Sequence, residues 1–345
     1  MVRKLDVGSQ ELEVSDRAPR ILAINNEDPG WPEPDKQQGD DAWRILLAGL
    51  AQEGYTYRAF KFFDDLTFLD AFDPREWLVW NWGEELAGRP WSDAEVADEI
   101  ERRGFACTGA SARLIRLTQD RMHVKRQLQT AGLPTLPAVV LRDAEAAAAW
   151  TTYPAIVKGA NQHASVGIDA GAIVGTAGEL ARRVAYLRDH YDDDALVEPF
   201  LDAREFHVAV WGNDPPQVLP PAEIDYSMFP DVRDRLYTEA WKTDRTSRGF
   251  EKIRLLCPAP VDRPDWRVRL ETVAVSAYRA LGLCDYARLD LRMLGDEPQI
   301  LDVNVNPELL TDGRSVFVAA AQAQGLSYAQ MVGRIVEFAA VRMPS

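Results

Sequence analysis

The segment from Arg288 to Pro307 constrains the fold more than any other. Arg288-Leu289-Asp290-Leu291-Arg292 and Gln299-Ile300-Leu301-Asp302-Val303-Asn304-Val305 each read as strands, with apolar residues flanking polar ones that share a face. Gly295-Asp296-Glu297-Pro298 between them is turn chemistry. The chain therefore folds back as a hairpin, and Asp290, Asp302 and Asn304 can converge. Three hard oxygen donors without histidine or cysteine suit Mg²⁺ rather than zinc, and Mg²⁺ held by few carboxylates usually has phosphate as its other partner. The same pattern also fits a surface hairpin with solvated acids.

At 345 residues the chain is long enough for two or three domains, and 46% hydrophobic residues support real cores. A net charge of −15 argues against a nucleic-acid binder and disfavours an anionic membrane surface. A nucleotide ligand would need local lysines and arginines to overcome that field. The three cysteines, Cys107, Cys257 and Cys284, form no CxxC pair, so neither a disulfide framework nor a zinc site is implied. The N-terminus lacks the apolar core of a signal peptide, and no apolar run is long enough to span a bilayer. These features lead to the expectation of a cytoplasmic protein.

Residues 20–25, 55–63 and 77–82 read as strands, residues 26–40 as a loop rich in Pro, Gly and acid, and residues 41–54 as a helix. That order suggests an open α/β sheet whose ligands lie past the C-terminal strand ends. Asn25, Asn26, Glu27, Asn81 and Glu84 stand there, and equally fit as polar loop residues. Residues 91–103 form an amphipathic segment with Ser92 as N-cap, and residues 111–131 one long helix ending at Gly132. The strand at 154–159 delivers Lys158 beside a loop of small residues, an arrangement that can hold phosphate. Residues 195–201 read as a strand that Pro199 turns into a hinge, residues 205–212 alternate, and residues 217–224 form another strand. Residues 230–250 carry Arg233, Arg235, Lys242, Arg245 and Arg248, a local basic density that reads as a mobile loop. Helices follow at 265–282 and 327–340. His207 lies in an alternating strand and reads as structural.

In order, these blocks resemble the ATP-grasp superfamily, and within it the D-alanine–D-alanine ligase branch. The resemblance runs from about Gly104 to Ala340. It rests on Cys107-Thr108-Gly109 with Thr118-Gln119-Asp120-Arg121, on Ile156-Val157-Lys158 with Ser165-Val166-Gly167-Ile168, on Leu196-Val197-Glu198-Pro199-Phe200 with Glu205-Phe206, on Cys257-Pro258-Ala259, and on the acidic hairpin. It implies an α/β (α+β) ATP-grasp fold. An N-terminal open α/β domain (1–110) would precede two α+β domains (111–198 and 199–345) that clasp ATP between them. Arg121 and Lys158 would hold phosphates, with Ser165 in the Gly-rich loop. Glu198, Pro199, Phe200 and Leu201 would read the adenine, and Glu205 the ribose. Lys242 and Arg288 would act on the transferring phosphoryl group. Asp290, Asp302 and Asn304 would hold two Mg²⁺, with Mn²⁺ able to substitute.

The chemistry so implied is an ADP-forming carboxylate–amine ligation through an acyl phosphate, on small-molecule substrates. The resemblance allows a homodimer. Several positions depart from the branch. Asp302 replaces a Glu, and Arg121 a Lys. Ala164 and Thr243 replace a Ser–Tyr pair, Glu308 replaces a Gly, and the N-terminal Glu has no equivalent. The expectation is therefore an amide-forming ligase for amino acids other than D-alanine. A non-catalytic nucleotide-binding regulator and a true D-alanine–D-alanine ligase are the alternatives.

Overall fold

The computed structural model describes residues 18–161, 167–238, 247, 249 and 252–345. Ser165 and Lys242, with Ala164 and Thr243, lie outside the described residues. So does most of the basic stretch at 239–251. Strand β1 (Arg20–Asn26) is the centre of a parallel sheet, between β2 (Tyr57–Phe62) and β3 (Trp77–Trp82). Ile21, Leu22, Ala23 and Ile24 are all fully buried, because helices cover both faces. Ile21 and Ala23 pack with Trp43, Leu46 and Leu50 of α1 (Glu33–Gln52). Leu22 and Ile24 pack with Val96 and Ile100 of α2 (Asp93–Arg102).

Two helix starts differ from expectation. α1 begins at Glu33, inside the stretch expected to be loop. A proline in the first turn loses no intrahelical bond, and Glu33 and Asp35 complement the positive helix end, so the loop-like composition is a helix start. Ser92 precedes α2 but does not cap it; its hydroxyl donates to Arg89 O and accepts from the Leu86 amide. The expected single helix at 111–131 is two helices. α3 (Ala112–Gln119) stops at Asp120, whose backbone is extended and whose carboxylate accepts from the His123 amide to start α4 (Arg121–Thr130). The break makes Arg121 the first residue of α4 and ties its amide to Ala160 O at 3.1 Å.

The second sheet runs β4 (Val139–Leu141), β7 (Ala195–Pro199), β5 (Ala155–Gly159) and β6 (Ile173–Val174), antiparallel throughout. α5 (Ala177–Tyr191), capped by Thr176, covers it through Leu180, Val184 and Leu187. The third sheet runs β11 (Arg254–Leu256), β10 (Ala222–Asp225), β8 (Glu205–Trp211), β12 (Tyr286–Leu294) and β13 (Glu297–Val305), with β9 (Gln217–Val218) on β8. The run at 217–224 splits because Pro220 and Pro221 cannot donate to a ladder. α3 and α6 (Pro264–Ala280) cover the face carrying Phe206, Val208, Leu289 and Leu291. The side chains between these, Glu205, His207, Arg288, Asp290 and Arg292, share the opposite face.

The first and third sheets meet at one turn. The Gly109 amide donates to Asp285 Oδ2 and the Ala110 amide to Asn306 Oδ1, both at 2.8 Å. Asp285 and Asn306 flank the hairpin with left-handed φ of 56° and 48°, a conformation that short polar side chains tolerate. Gly109 is itself left-handed, and a Cβ there would lie 2.0 Å from Asn306 Oδ1, so any other residue is strained and displaces the Asn306 side chain. α7 (Val316–Ala323) and α8 (Tyr328–Ala340) then pack Phe317, Met331 and Ile335 against the core of α1. Just past α8, Arg342 pairs with the fully buried Asp285 and donates to Cys107 O at 2.6 Å. Arg342→Ala leaves that carboxylate short of its main partner. The expected cost is about 1.5–3 kcal/mol, read as a lower urea midpoint with an unchanged m-value.

Candidate active site

A cleft opens between the second and third sheets. Every phosphate, adenine, ribose and metal residue that the resemblance implies, among the described ones, lines it, whereas Asn25, Asn26, Glu27, Asn81 and Glu84 do not. The floor is the hairpin. Asp290 pairs in register with Asp302, and Arg288 with Asn304. Arg288 holds Asp290 with a two-pronged contact, Nε to Oδ1 at 2.7 Å and Nη2 to Oδ2 at 3.0 Å. Asn304 Nδ2 donates to Asp290 Oδ2 at 3.0 Å. Asp302 is met by Arg121 Nη2 at 3.2 Å, and Arg121 Nη1 also donates to Gly159 O at 2.8 Å. Among the described residues no group of three or more His, Cys, Asp and Glu side chains is placed to hold an ion. The oxygen set is thus two carboxylates and one amide. That donor chemistry fits Mg²⁺, which takes one or two carboxylates and completes its shell with water and phosphate.

One wall holds a buried triad. Glu198, at the end of β7, meets Lys158 Nζ at 2.9 Å and Lys125 Nζ at 2.7 Å. Lys158 also donates to Leu301 O, and Lys125 to Thr135 Oγ1 and Leu136 O. Burial pushes the Glu198 carboxyl up, but the two ammonium groups outweigh it and hold the carboxyl below the usual range. The Glu198 side chain is therefore engaged by lysines. The three residues that follow it, Pro199, Phe200 and Leu201, line the cleft.

The far wall centres on Glu205. Its Oε2 accepts from Arg292 Nε at 2.8 Å, and its Oε1 lies 2.9 Å from His207 Nε2. Burial would raise its carboxyl, yet Arg292 and His207 bring it down to about 2. Arg292 also donates to Leu201 O at 2.7 Å and lies over the Phe200 ring at 4.9 Å. It thereby joins the backbone just past β7 to Glu205.

Four residues of this site went without a role in the sequence reading. Lys125 lies one turn after Arg121 on the same helix, a spacing that puts both on one face. Arg292 continues the alternation of Arg288 and Asp290 along β12, and that alternation was the available signal. His207, read as structural, lines the cleft opposite Asp290. Tyr237 lines it too, and nothing in the sequence pattern marks it. At the end of the first sheet, Asn26 Oδ1 accepts from the Glu84 amide and Asn81 Oδ1 from the Gly83 amide, so both asparagines shape the loop. Protein crowded around the exposed Glu84 carboxyl, and then the charge of Glu308, raise its pKa.

The chain is similar to known proteins in sequence and in fold. The protein-family model described as D-ala D-ala ligase C-terminus matches residues 128–337. A D-alanine–D-alanine ligase of Desulforudis audaxviator is 32% identical over 262 residues, covering 74% of this chain and 80% of that protein. The uncharacterized protein y4sG of Sinorhizobium fredii is 29% identical over 284 residues, covering 79% of this chain and 80% of that one. The crystal structure of D-alanine–D-alanine ligase from Bacillus anthracis complexed with ATP aligns with a TM-score of 0.69 at 18% identity. It covers 94% of this chain and 99% of that one, a likeness of fold.

The lowered carboxyl of Glu205 makes a signed expectation. Its stabilisation is fully present above its ordinary value of 4.5 and is lost as pH falls toward about 2. Between pH 5 and pH 3 the native chain should lose about 2 kcal/mol more than the Glu205→Gln variant. Urea melts of both proteins at the two pH values measure the difference; parallel losses would detach Glu205 from the acid sensitivity.

Proposed function

This chain belongs to the D-alanine–D-alanine ligase family of ATP-grasp enzymes, and we propose from that premise that it joins a small carboxylate to an amine other than D-alanine. The observation that carries the reading is the convergence of Lys158, Glu205, Arg288, Asp290, Asp302 and Asn304 on one cleft. ATP would lie with its adenine against the backbone from Pro199 to Leu201 and its ribose at Glu205. Its phosphates would extend toward Arg121, Lys125 and Lys158. The three sheets support the division into an N-terminal domain and two clasping domains. Asp290, Asp302 and Asn304 would hold Mg²⁺, which neutralises phosphate charge and orients the phosphoryl group.

A carboxylate resists attack by an amine because its leaving group would be oxide. Transfer of the γ-phosphoryl group makes an acyl phosphate, and the amine then displaces phosphate to form the amide. Positioning and charge neutralisation supply most of such catalysis. Arg288 faces the cleft and remains charged: burial lowers its pKa, but Asp290 together with Glu308 and Tyr237 raises it by more. It is the group we assign to the developing oxyanion.

Two features support a substrate other than D-alanine. Glu308 brings a carboxylate where the resemblance expects a glycine, and it lies near enough to Glu84 to raise that acid. A pair of acids repels a substrate carboxylate and favours an ammonium. Substrate-dependent ADP release tests the reading. Release should require both an acid and an amine, and D-alanine alone should turn over far below the best pair. D-alanyl-D-alanine made at ordinary enzyme rates from millimolar D-alanine would instead make the chain a true D-alanine–D-alanine ligase. Asp290→Asn should leave the chain folded at assay temperature and abolish ADP release, because charge is lost and volume is not.

A further inference from the structure

Arg292 on β12 is buried, lines the cleft, and holds three segments of the chain with one guanidinium. Its Nε and Nη2 both meet Glu205 Oε2 at 2.8 Å. Its Nη1 donates to Leu201 O at 2.7 Å and its Nη2 to Arg235 O at 2.6 Å. These partners lie on β8, just past β7, and on the stretch between β10 and β11. The guanidinium also lies over the Phe200 ring at 4.9 Å and the Tyr226 ring at 5.5 Å. A planar fork of five donors can serve one carboxylate and two carbonyls at fixed angles, which an ammonium cannot.

Arg235 belongs to a stretch that reaches both walls of the cleft. Its neighbour Leu236 packs with Phe200 and with Ile173 of the second sheet, and Leu236 and Tyr237 line the cleft. The Arg235 side chain pairs with Asp202 and donates to Phe229 O, each at 3.0 Å. Arg233 meets Glu179 of α5 at 3.2 Å. Arg292 is the link from this stretch to Glu205. Burial would neutralise the Glu205 carboxyl, and Arg292 is the first of the groups that keep it ionised. An ionised carboxylate accepts hydrogen bonds, and sugar hydroxyls can donate them.

We propose that Arg292 is a positioning residue: it presets Glu205 as the acceptor for the sugar hydroxyls of a nucleotide and ties that contact, through Arg235 O, to the stretch at 229–238. The inference rests on the proposed placing of ATP at Glu205 and at the backbone just past β7. Arg292 acts through Glu205 and two carbonyls rather than on the phosphates. Sugar binding and the order of 229–238 then stabilise each other, because both draw on the same guanidinium and such coupling is reciprocal.

Calorimetry on the full chain with the Mg²⁺ complexes of ATP, 2′,3′-dideoxy-ATP and tripolyphosphate tests it. The native chain should bind ATP at least about tenfold more tightly than dideoxy-ATP, since hydrogen bonds to a charged acceptor are the strong ones. Arg292→Met leaves Glu205 a buried acid without its cation, and should shrink that ratio to within about threefold while tripolyphosphate binding stays within the same margin. Glu205→Gln should weaken ATP binding in the native background and not in the Arg292→Met background, a coupling that general damage to the fold does not produce. Without any variant, hydrogen exchange of the native chain should slow at 229–238 on adding MgATP and not on adding tripolyphosphate. That measurement decides alone if Arg292→Met does not fold. A native ratio near one, a folded Arg292→Met variant that keeps the native ratio, or exchange at 229–238 indifferent to MgATP would overturn the inference and leave the nucleotide cleft standing. A native chain that binds no MgATP would remove the proposed function and the inference together.

Discussion

Two carboxylates set opposite each other on neighbouring strands are the constraint on which the rest of this structure depends. Asp290 and Asp302 are in register, and like charges so placed repel. Two unit charges about 4 Å apart interact by about 4 kcal/mol near a protein surface. The hairpin cannot relieve that alone. Arg288 neutralises Asp290 from within the same strand, but Asp302 takes its cation from Arg121. Arg121 belongs to α4, and it reaches the hairpin because Asp120 ends α3 one residue earlier. The same region is tied to β13 twice more, by Thr135 Oγ1 on Ile300 O and by the Ile300 amide on Pro134 O, each at 2.9 Å. The acids therefore organise the helix that precedes them by more than 160 positions.

The chain's charge of −15 makes the cleft an electrostatic exception. Its cations are held by carboxylates of the protein: Lys125 and Lys158 share Glu198, Arg292 is held by Glu205, and Arg121 and Arg288 hold the hairpin acids. Buried charges require partners, and removing one partner costs far more than exchanging it. A polyphosphate entering this cleft would exchange partners rather than create new buried charge. Glu198 carries two ammonium groups on one carboxylate, so this wall retains a net positive charge. That is where such an exchange is easiest.

The sequence carried the hairpin, the lysine strand and the strand ending at Pro199 because each depends on a two-residue period or on proline, both of which are local. It did not carry the start of α1, where a run of Pro and acid belongs to a first helical turn and reads by composition as loop. It did not carry the break at Asp120 either, since the apolar spacing continues through it and the capping bond is visible only once Asp120 is seen to be extended. His207 shows the limit most clearly. The sequence shows Glu205 two residues away on the same strand, whereas Asp290 stands across the ladder on β12. Cross-strand register is a tertiary fact, and no period within one strand contains it.

The joint at Gly109 and Ala110 separates the two tasks of the proposed reaction. Asp285 and Asn306 grip that turn from either end of the hairpin, so the first sheet is fixed to the strands that carry the acids. Glu308 follows Asn306 by two residues, and its carbonyl is held by Ser315 Oγ at 2.6 Å. Glu84 is held by Asn26 from the other side of the joint. These two acids are thus placed by the contact between sheets, while Lys158, Glu198 and Glu205 are placed by the second and third sheets themselves. On the proposed reading, nucleotide handling and amine selection rest on different parts of the framework, and substitutions around Glu84 and Glu308 would change the amine while leaving the lysine triad and the hairpin in place. A chain can in this way keep the nucleotide cleft of its family and still depart from its relatives in what it joins.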